Sequence, residues 1–470
     1  MIYPRFGSTM MTLLALAGCA DDAGGSGDSS GTHGTSSGGQ TSSSADTGTS
    51  AGSSGPADSS SSSDDGETGG MLDPTPILER DPMISHACAE TREMAQLPQA
   101  MASRWDGLVQ LGDAFVALRS SMSLELVGID LAGVIGETLE LDAFAENLSF
   151  ADPQSVRVDD AIAVVWTRQH NLAGEVLQFA QANAELAQTI ATTEIASGNI
   201  VRAASLVAVA SGGFALVYGE ADTNGATRLR FMRVGDDGAP MGAATDIADV
   251  GDAYGFVSAR LLATADGFAV AYTAGEAIDG REVYFVALDD AGAVQGAATR
   301  VSRVAEGGWT SELGSRPRRD FVQVGDRYWL AFTEGQVDTV AQTGAIVVRI
   351  AVLDGSGHGD AHLLQAPVEG INHLWPSFVE LDDRVGIAWT SGHIIWICGG
   401  CITDYDLHFV LLEPDAIVPA SEEIVQLHHT NGITAPLAAV AGGDVLTLGS
   451  LDFHATTLPA SGSLHCDPAG

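Results

Sequence analysis

The sequence predicts an all-β domain built from seven repeats of four short strands, and three observations lead to this fold class. First, an acidic or glycine turn followed by an apolar run, as in DGFAVAYTAG from Asp266, recurs along the chain. The other six copies begin at Asp113, Asp160, Gly212, Asp326, Asp383 and Gly442. Second, neighbouring copies are about 47 to 60 residues apart, a period typical of repeat architectures. Third, each copy is flanked by further strand-like runs and glycine turns.

The fourth repeat shows the four strands most clearly. They read SARLLATA from Ser258, GFAVAYT from Gly267, EVYFVALDD from Glu282 and VQGAATRVS from Val294. The DDAG segment between the third and fourth strands is a typical hairpin turn. The second strand is apolar on both faces, so we expect it to be buried between neighbouring sheets.

Seven four-stranded units at this spacing resemble a seven-bladed β-propeller, of the divergent kind found in secreted bacterial lipoproteins. The resemblance implies that the loops between the second and third strands share one face with the loops between blades. In this chain those loops are the long ones, as in SGHIIWICGGCITDYD from Ser391. Tandem β-sandwiches are the alternative, but no linker composition follows Met71.

The N-terminus reads as a lipoprotein signal peptide over residues 1–18. Arg5 is followed by an apolar run, MMTLLALA, that is too short to span a bilayer. The LAGC segment ending at Cys19 resembles the lipobox of bacterial lipoproteins. It implies that Cys19 becomes the mature N-terminus and carries a diacylglyceryl thioether and an amide-linked acyl chain such as palmitate. An ordinary cleaved signal with a chance cysteine is the alternative.

Residues 19–72 comprise Cys19 and a Ser-, Gly- and Asp-rich segment, and residues 73–470 comprise the repeat domain. The first segment has almost no aliphatic residues, so we expect a disordered tether. Ala20 rather than Asp follows Cys19, which favours the outer membrane by the enteric sorting rule. We therefore expect a lipid-anchored envelope protein, with exposure at the cell surface left open.

The chain is strongly acidic, with a formal net charge of −40 from 61 acidic and 21 basic residues. Such a surface repels nucleic acid phosphates, so we expect no nucleic acid partner. Solubility explains the charge, and calcium binding is the alternative. Asp222, Asn224 and Gly225 are a weak candidate for a calcium loop and also fit a simple turn. No other cofactor is expected, and we expect a monomer.

Four cysteines remain after Cys19, an even number that predicts disulfides in an exported protein. The ends of a propeller must meet to close the ring. We therefore expect Cys88, before the first repeat, to pair with Cys466, after the last. This bond would replace or reinforce strand exchange between the chain ends. The CGGC pair, Cys398 and Cys401, would close a small ring that shapes its loop.

Two other interpretations of the CGGC pair remain open. A redox-active CxxC usually begins a helix, whereas this one lies among predicted strands. A zinc site could combine Cys398 and Cys401 with His393 and His408, whose spacing is ligand-like.

Several side chains on the predicted loop face are candidates for binding. Loop tryptophans suit sugars or peptides, and the basic island that ends in Arg319 could hold a carboxylate or phosphate. Packing of each tryptophan on its own loop and ion pairs with nearby acids are the alternatives. The candidate residues are Trp309, Arg316, Arg318, His373, Trp375, His393 and Trp396.

The sequence contains no catalytic motif that we can identify. We therefore predict a non-catalytic, envelope-anchored lipoprotein that presents its propeller face to a protein or glycan partner. The alternative is a propeller-type hydrolase or lyase that acts on an extracellular polysaccharide. It would need carboxylates, or a histidine with a metal, at the mouth of the channel. A purely structural envelope component is a third interpretation.

Overall fold

The computed structural model describes residues 75–468, apart from several short gaps. The gaps are 98–103, 113, 121–122, 144–147, 171–173, 199, 223–225, 252–257, 276–280, 303–309, 314–318, 339–342, 382–383, 396–400, 428–436, 442 and 454–455. All described residues belong to one compact unit. No helix among them is long and apolar enough to cross a membrane. The predicted signal peptide, Cys19 and the predicted tether lie outside the described residues.

Antiparallel sheets form the seven blades of a β-propeller, which confirms the predicted fold class. The strands of blade 1 (β2–β5) are Arg104–Leu111, Ala114–Ser120, Ser123–Ile129 and Ile135–Ala143. The strands of blade 2 (β6–β9) are Leu148–Val158, Ala161–His170, Gly174–Asn183 and Gln188–Gly198. The strands of blade 3 (β10–β13) are Ile200–Ala208, Phe214–Ala221, Thr227–Val234 and Thr245–Gly251.

Blades 4 to 6 continue this order. The strands of blade 4 (β14–β17) are Ala259–Thr264, Gly267–Ala274, Glu282–Leu288 and Val294–Arg300. The strands of blade 5 (β18–β22) are Thr310–Glu312, Phe321–Val324, Arg327–Asp338, Thr343–Leu353 and Gly359–Leu363, the first two sharing the innermost position. The strands of blade 6 (β23–β27) are Ile371–Leu381, Arg384–Ile395, Cys401–Glu413, Val418–Pro419 and Ile424–Leu427, the last two sharing the outermost position.

Blade 7 combines both ends of the described chain. Its strands β28–β30 are Leu437–Ala441, Asp444–Phe453 and Thr456–Pro468. The outermost strand is β1, His86–Gln96, which precedes blade 1 in sequence and pairs antiparallel with β30. A short 3₁₀ helix, Ile77–Glu79, precedes β1. The ring is therefore closed by strand exchange.

The predicted disulfide between Cys88 and Cys466 joins β1 to β30 at this closure. The two cysteines face each other in the strand register. The bond therefore reinforces strand exchange rather than replacing it.

The core consists of seven apolar clusters, and each cluster fills the space between two successive blades. The second strand of a blade contributes to the clusters on both of its faces, because successive side chains of a strand point to opposite sides. In β15, for example, Val270 packs towards blade 3 and Ala269 towards blade 5. The expectation that these strands are buried between neighbours is confirmed.

Glycine turns add a second, repeated contact between blades. The turn glycine between the third and fourth strands packs on a phenylalanine in the third strand of the preceding blade. These pairs are Gly238 on Phe179, Gly292 on Phe231 and Gly357 on Phe285. All three glycines have a φ near +80°, which is costly for residues with a side chain.

Candidate functional site

The hairpins between the second and third strands differ in height around the ring. In blade 4, β15 and β16 have 8 and 7 residues, whereas in blade 5 β20 and β21 have 12 and 11. In blade 6, β24 and β25 have 12 and 13 residues. Four more residues per strand extend a hairpin by about 13 Å. The raised hairpins (β20–β21 and β24–β25) therefore form a wall beside the low hairpin of blade 4. The hairpins of blades 2 and 7, with ten paired residues per strand, are nearly as tall.

A hydrogen bond and a strand bridge join the raised hairpin of blade 5 to the innermost strand of blade 6. Asn372, at the start of β23, accepts a hydrogen bond from the backbone N–H of Ile346 on β21, with an N···O distance of 2.9 Å. A parallel bridge joins the same two residues. Leu374 and Trp375 pack against Ile346 beside it. Blades 5 and 6 are thus joined through strands as well as through their core.

Trp375 was expected as an exposed aromatic in a loop, but it lies within β23 and is 8 % exposed. The pairing of β23 with β24 shifts register between Leu374 and Ser377, and Trp375 has a φ of +56°. This bulge turns the side chain towards Ile346. Trp375 is therefore a packing residue of the wall, as in the alternative interpretation.

A polar cluster lies on the face of blade 6 that is turned towards blade 5. Ser391 Oγ is 2.7 Å from His408 Nε2, and His408 Nδ1 is 2.7 Å from Glu423 Oε1. The indole of Trp389 stacks on the imidazole of His408, with centroids 4.9 Å apart and planes 14° from parallel. Ser391 and His408 are buried, and the Glu423 side chain is 31 % exposed.

His373 completes this cluster from the innermost strand. It lies opposite Ser391 in the register of β23 and β24, and its ring centroid is 6.5 Å from that of His408. It is 3 % exposed, and neither ring nitrogen has a hydrogen-bond partner among the described residues. Burial, together with the neighbouring His408, lowers the pKa of His373 to about 4. The imidazole is therefore neutral at pH 7.

The strand geometry separates the two histidines of the suggested zinc site. His393 pairs with Thr403 and His408 with Trp389, so the two positions are five residues, roughly 16 Å, apart along β25. Two ligands of one zinc ion lie about 2 Å from the metal and cannot be so far apart. Both ring nitrogens of His408 are also engaged, so the two histidines do not form a common site. The described residues contain no group of three His, Cys, Asp or Glu side chains suited to a metal.

The other predicted site residues are described only in part. His393 is exposed on β24. Arg319, at the end of the basic island, forms an exposed ion pair with Glu380 at 3.0 Å. Asp222 Oδ1 accepts the N–H of Ala226, as in a simple turn. Trp309, Arg316, Arg318, Trp396, Cys398, Asn224, Gly225 and the Cys401 side chain lie outside the described residues.

The sequence pointed to two residues of this cluster, His373 as a binding candidate and His408 as a possible zinc ligand. It gave no indication of Ser391 or Glu423. Their contact with His408 depends on the pairing of β24 and β27 with β25, which no local pattern encodes.

No family model and no curated protein matches this chain. Solved structures with similar geometry include a puromycin-hydrolysing peptidase of Mycobacterium tuberculosis, with a TM-score of 0.44, 12 % identity, and coverage of 79 % of this chain and 53 % of the peptidase. A thermostable family-43 glycoside hydrolase gives a TM-score of 0.37, 9 % identity, and coverage of 72 % and 97 %. A Trypanosoma rangeli sialidase gives a TM-score of 0.41, 7 % identity, and coverage of 81 % and 58 %. The chain spans little more than half of the peptidase and sialidase chains, and similarity this low carries no functional argument.

Proposed function

We propose that the protein is a lipoprotein of the cell envelope, anchored through lipidated Cys19, that binds a protein or glycan partner through its loop face. The wall of raised hairpins on blades 5 and 6 carries this proposal, because it stands above the low hairpins of blades 3 and 4 on the loop face. Variation of loops on a rigid ring is how propellers acquire binding sites. The strand exchange and the Cys88–Cys466 bond keep that ring closed.

The polysaccharide hydrolase remains the second prediction. The buried carboxylates of Asp142, Glu175, Asp320 and Glu334 are each bound to an arginine side chain. Because each of these carboxylates is already bound to an arginine, they do not provide the two free carboxyl groups that glycoside hydrolysis needs.

Binding is tested with the full-length protein on arrays of envelope polysaccharides and on cross-linked intact cells. In one variant an Asn-Gly turn replaces residues 336–345, since Gly335 and Ile346 are directly paired. In the matched control the same turn replaces residues 222–226, between the paired Ala221 and Thr227 of the low blade 3 hairpin. We expect the variant that lacks residues 336–345 to lose binding of the partner, and the control to keep it. Equal loss in both variants would contradict a role for the wall, and release of reducing sugar ends would favour the hydrolase.

Anchoring is tested separately by metabolic labelling with an alkynyl fatty acid. We expect the wild-type chain to be labelled and to sediment with membranes. The Cys19→Ser variant should be unlabelled and soluble. An unlabelled wild-type chain would contradict the anchor without affecting the binding proposal.

A further inference from the structure

The hydrogen bonds of the blade 6 cluster define the tautomer of His408. A carboxylate accepts hydrogen bonds, so His408 Nδ1 must carry the proton that is directed at Glu423 Oε1. The lone pair of Nε2 then faces Ser391 Oγ at 2.7 Å and accepts the hydroxyl proton. This is the order of nucleophile, base and orienting acid that activates a serine.

The sheet holds these three groups in place. Trp389 pairs with His408, and Ser391 lies two residues further along β24 on the same face. Val425 pairs with His408 on the other side, and Glu423 lies two residues before it. The imidazole of His408 therefore lies between the serine and the carboxylate, and its stacking on Trp389 restricts rotation of the ring.

His373 is the second, independent indication that a ligand belongs here. A buried polar side chain without hydrogen bonds is costly, and such groups in proteins normally have a partner. As a neutral imidazole it has one N–H to donate, and it lies opposite Ser391 in the register. An oxyanion formed at a carbonyl bound to Ser391 would meet this donor.

We propose that Ser391 is the nucleophile of an esterase site for small O-acyl esters, with His408 as base, Glu423 as positioning residue and His373 as oxyanion donor. This activity goes beyond the proposed binding function and revises the expectation of a non-catalytic protein. Ser391 and His408 are each 8 % exposed, so only a short acyl group such as acetyl can reach the hydroxyl.

The reaction is balanced with these groups and water. Ser391 Oγ bonds to the acyl carbon while its proton moves to His408 Nε2, and the resulting oxyanion accepts a hydrogen bond from His373. Collapse of the adduct breaks the ester bond, and the departing alkoxide takes the proton from His408. Water, deprotonated by His408, then attacks the acyl-serine. When this second adduct collapses, Ser391 Oγ takes the proton back from His408 and the acid is released.

The test uses the full-length protein with 4-nitrophenyl acetate as substrate and a fluorophosphonate as covalent probe. We expect peptide mapping to locate the fluorophosphonate on Ser391. Ser391→Ala should abolish labelling and lower the rate of ester hydrolysis by about 10²–10⁴-fold. Ser377→Ala is the matched control, because Ser377 is a buried serine of β23 that faces Ala388, and not a histidine, in the strand register. It should leave both readouts unchanged.

Further variants separate chemistry from folding. Glu423→Gln should lower kcat more than KM at an unchanged Tm, and Glu423→Asp should recover part of kcat. His373→Phe should also lower kcat. Ser391→Cys keeps a nucleophile, and its alkylation by iodoacetamide should become slower when His408→Gln is added. Absence of the adduct from Ser391 in the folded wild-type chain, or an equal adduct in His408→Gln, would overturn the proposal. Neither result would affect binding by the raised hairpins.

Discussion

Cys88 lies directly opposite Cys466 across the β1–β30 ladder, with their Cα atoms 4.1 Å apart, and a disulfide joins them. The two residues are separated by 378 positions in sequence, and β1 is the only strand of blade 7 that precedes the ring. The bond thus closes nearly the whole domain into one loop. The Cys466 side chain is buried in the core between blades 6 and 7.

Replacing either cysteine by serine should lower the free energy of unfolding substantially. The chain-entropy model gives a loss of about 6 kcal/mol for a loop of this size. Cys88→Ser, Cys466→Ser and the double variant should lose similar amounts, because the cysteines act as one unit. Urea unfolding measures the loss, and non-reducing peptide mapping verifies the bond. A double variant that loses twice as much would show that the cysteines act independently.

Gly292→Ala should destabilise the protein more than Gly296→Ala. Both glycines have a φ near +80°, so the backbone cost of alanine is the same at the two sites. A Cβ at Gly292 would overlap the ring of Phe231 in blade 3, whereas a Cβ at Gly296 would meet no atom within 4 Å. We expect a difference of about 1–3 kcal/mol in unfolding free energy. Equal losses would mean that this contact does not couple the two blades.

Arg260→Met should lower the free energy of unfolding by more than the loss of the ion pair alone suggests. Arg260, on the innermost strand of blade 4, binds Asp320 through Nε and through Nη2 at 2.8 Å, and both side chains are buried. Removing one partner leaves a buried charge and should cost about 3–5 kcal/mol. The double variant Arg260→Met/Asp320→Leu should recover much of this loss. A double variant no more stable than Arg260→Met in urea unfolding would contradict this explanation.

Stability should fall on acidification because of His373. Its pKa in the folded protein is about 4, below the ordinary value of 6.5, with burial and His408 as the causes. The unfolded chain therefore binds more protons between these values. The stability that depends on neutral His373 is fully present above pH 6.5. It decreases towards pH 4, by up to about 3 kcal/mol. In His373→Gln the dependence of Tm on pH should be flatter over this range.

His465 provides a control with the opposite sign. Hydrogen bonds to Asp467 and Asp444 raise the pKa of His465, and its side chain is largely solvated. The small contribution of His465 to the free energy of unfolding is present below pH 6.5 and is lost as the pH rises through its raised pKa. His465→Gln should therefore leave the acid-induced loss of stability unchanged. The same flattening in both variants would show that neither histidine is responsible.

The sequence predicted blade 4 within one or two residues, because its strands are short and are separated by turns that contain Asp266 and Gly292. Blade 3 was predicted less well. The segment PMGAATDI from Pro240 reads as its fourth strand, but this strand runs from Thr245 to Gly251. Pairing with β12, which contains two register shifts, sets these bounds. A polar, exposed edge strand has no hydrophobic pattern that would show them.

The sequence by itself determined the repeat count, the all-β class and the meeting of the two chain ends, since these follow from local turns, apolar periodicity and the placement of Cys88 and Cys466. Only the tertiary structure decided that β1 completes blade 7, that Trp375 is buried, and that His393 and His408 are apart. It alone brought Ser391, His408 and Glu423 together. Contacts between strands depend on register and bulges, and a shift of one residue reverses the face on which each side chain lies.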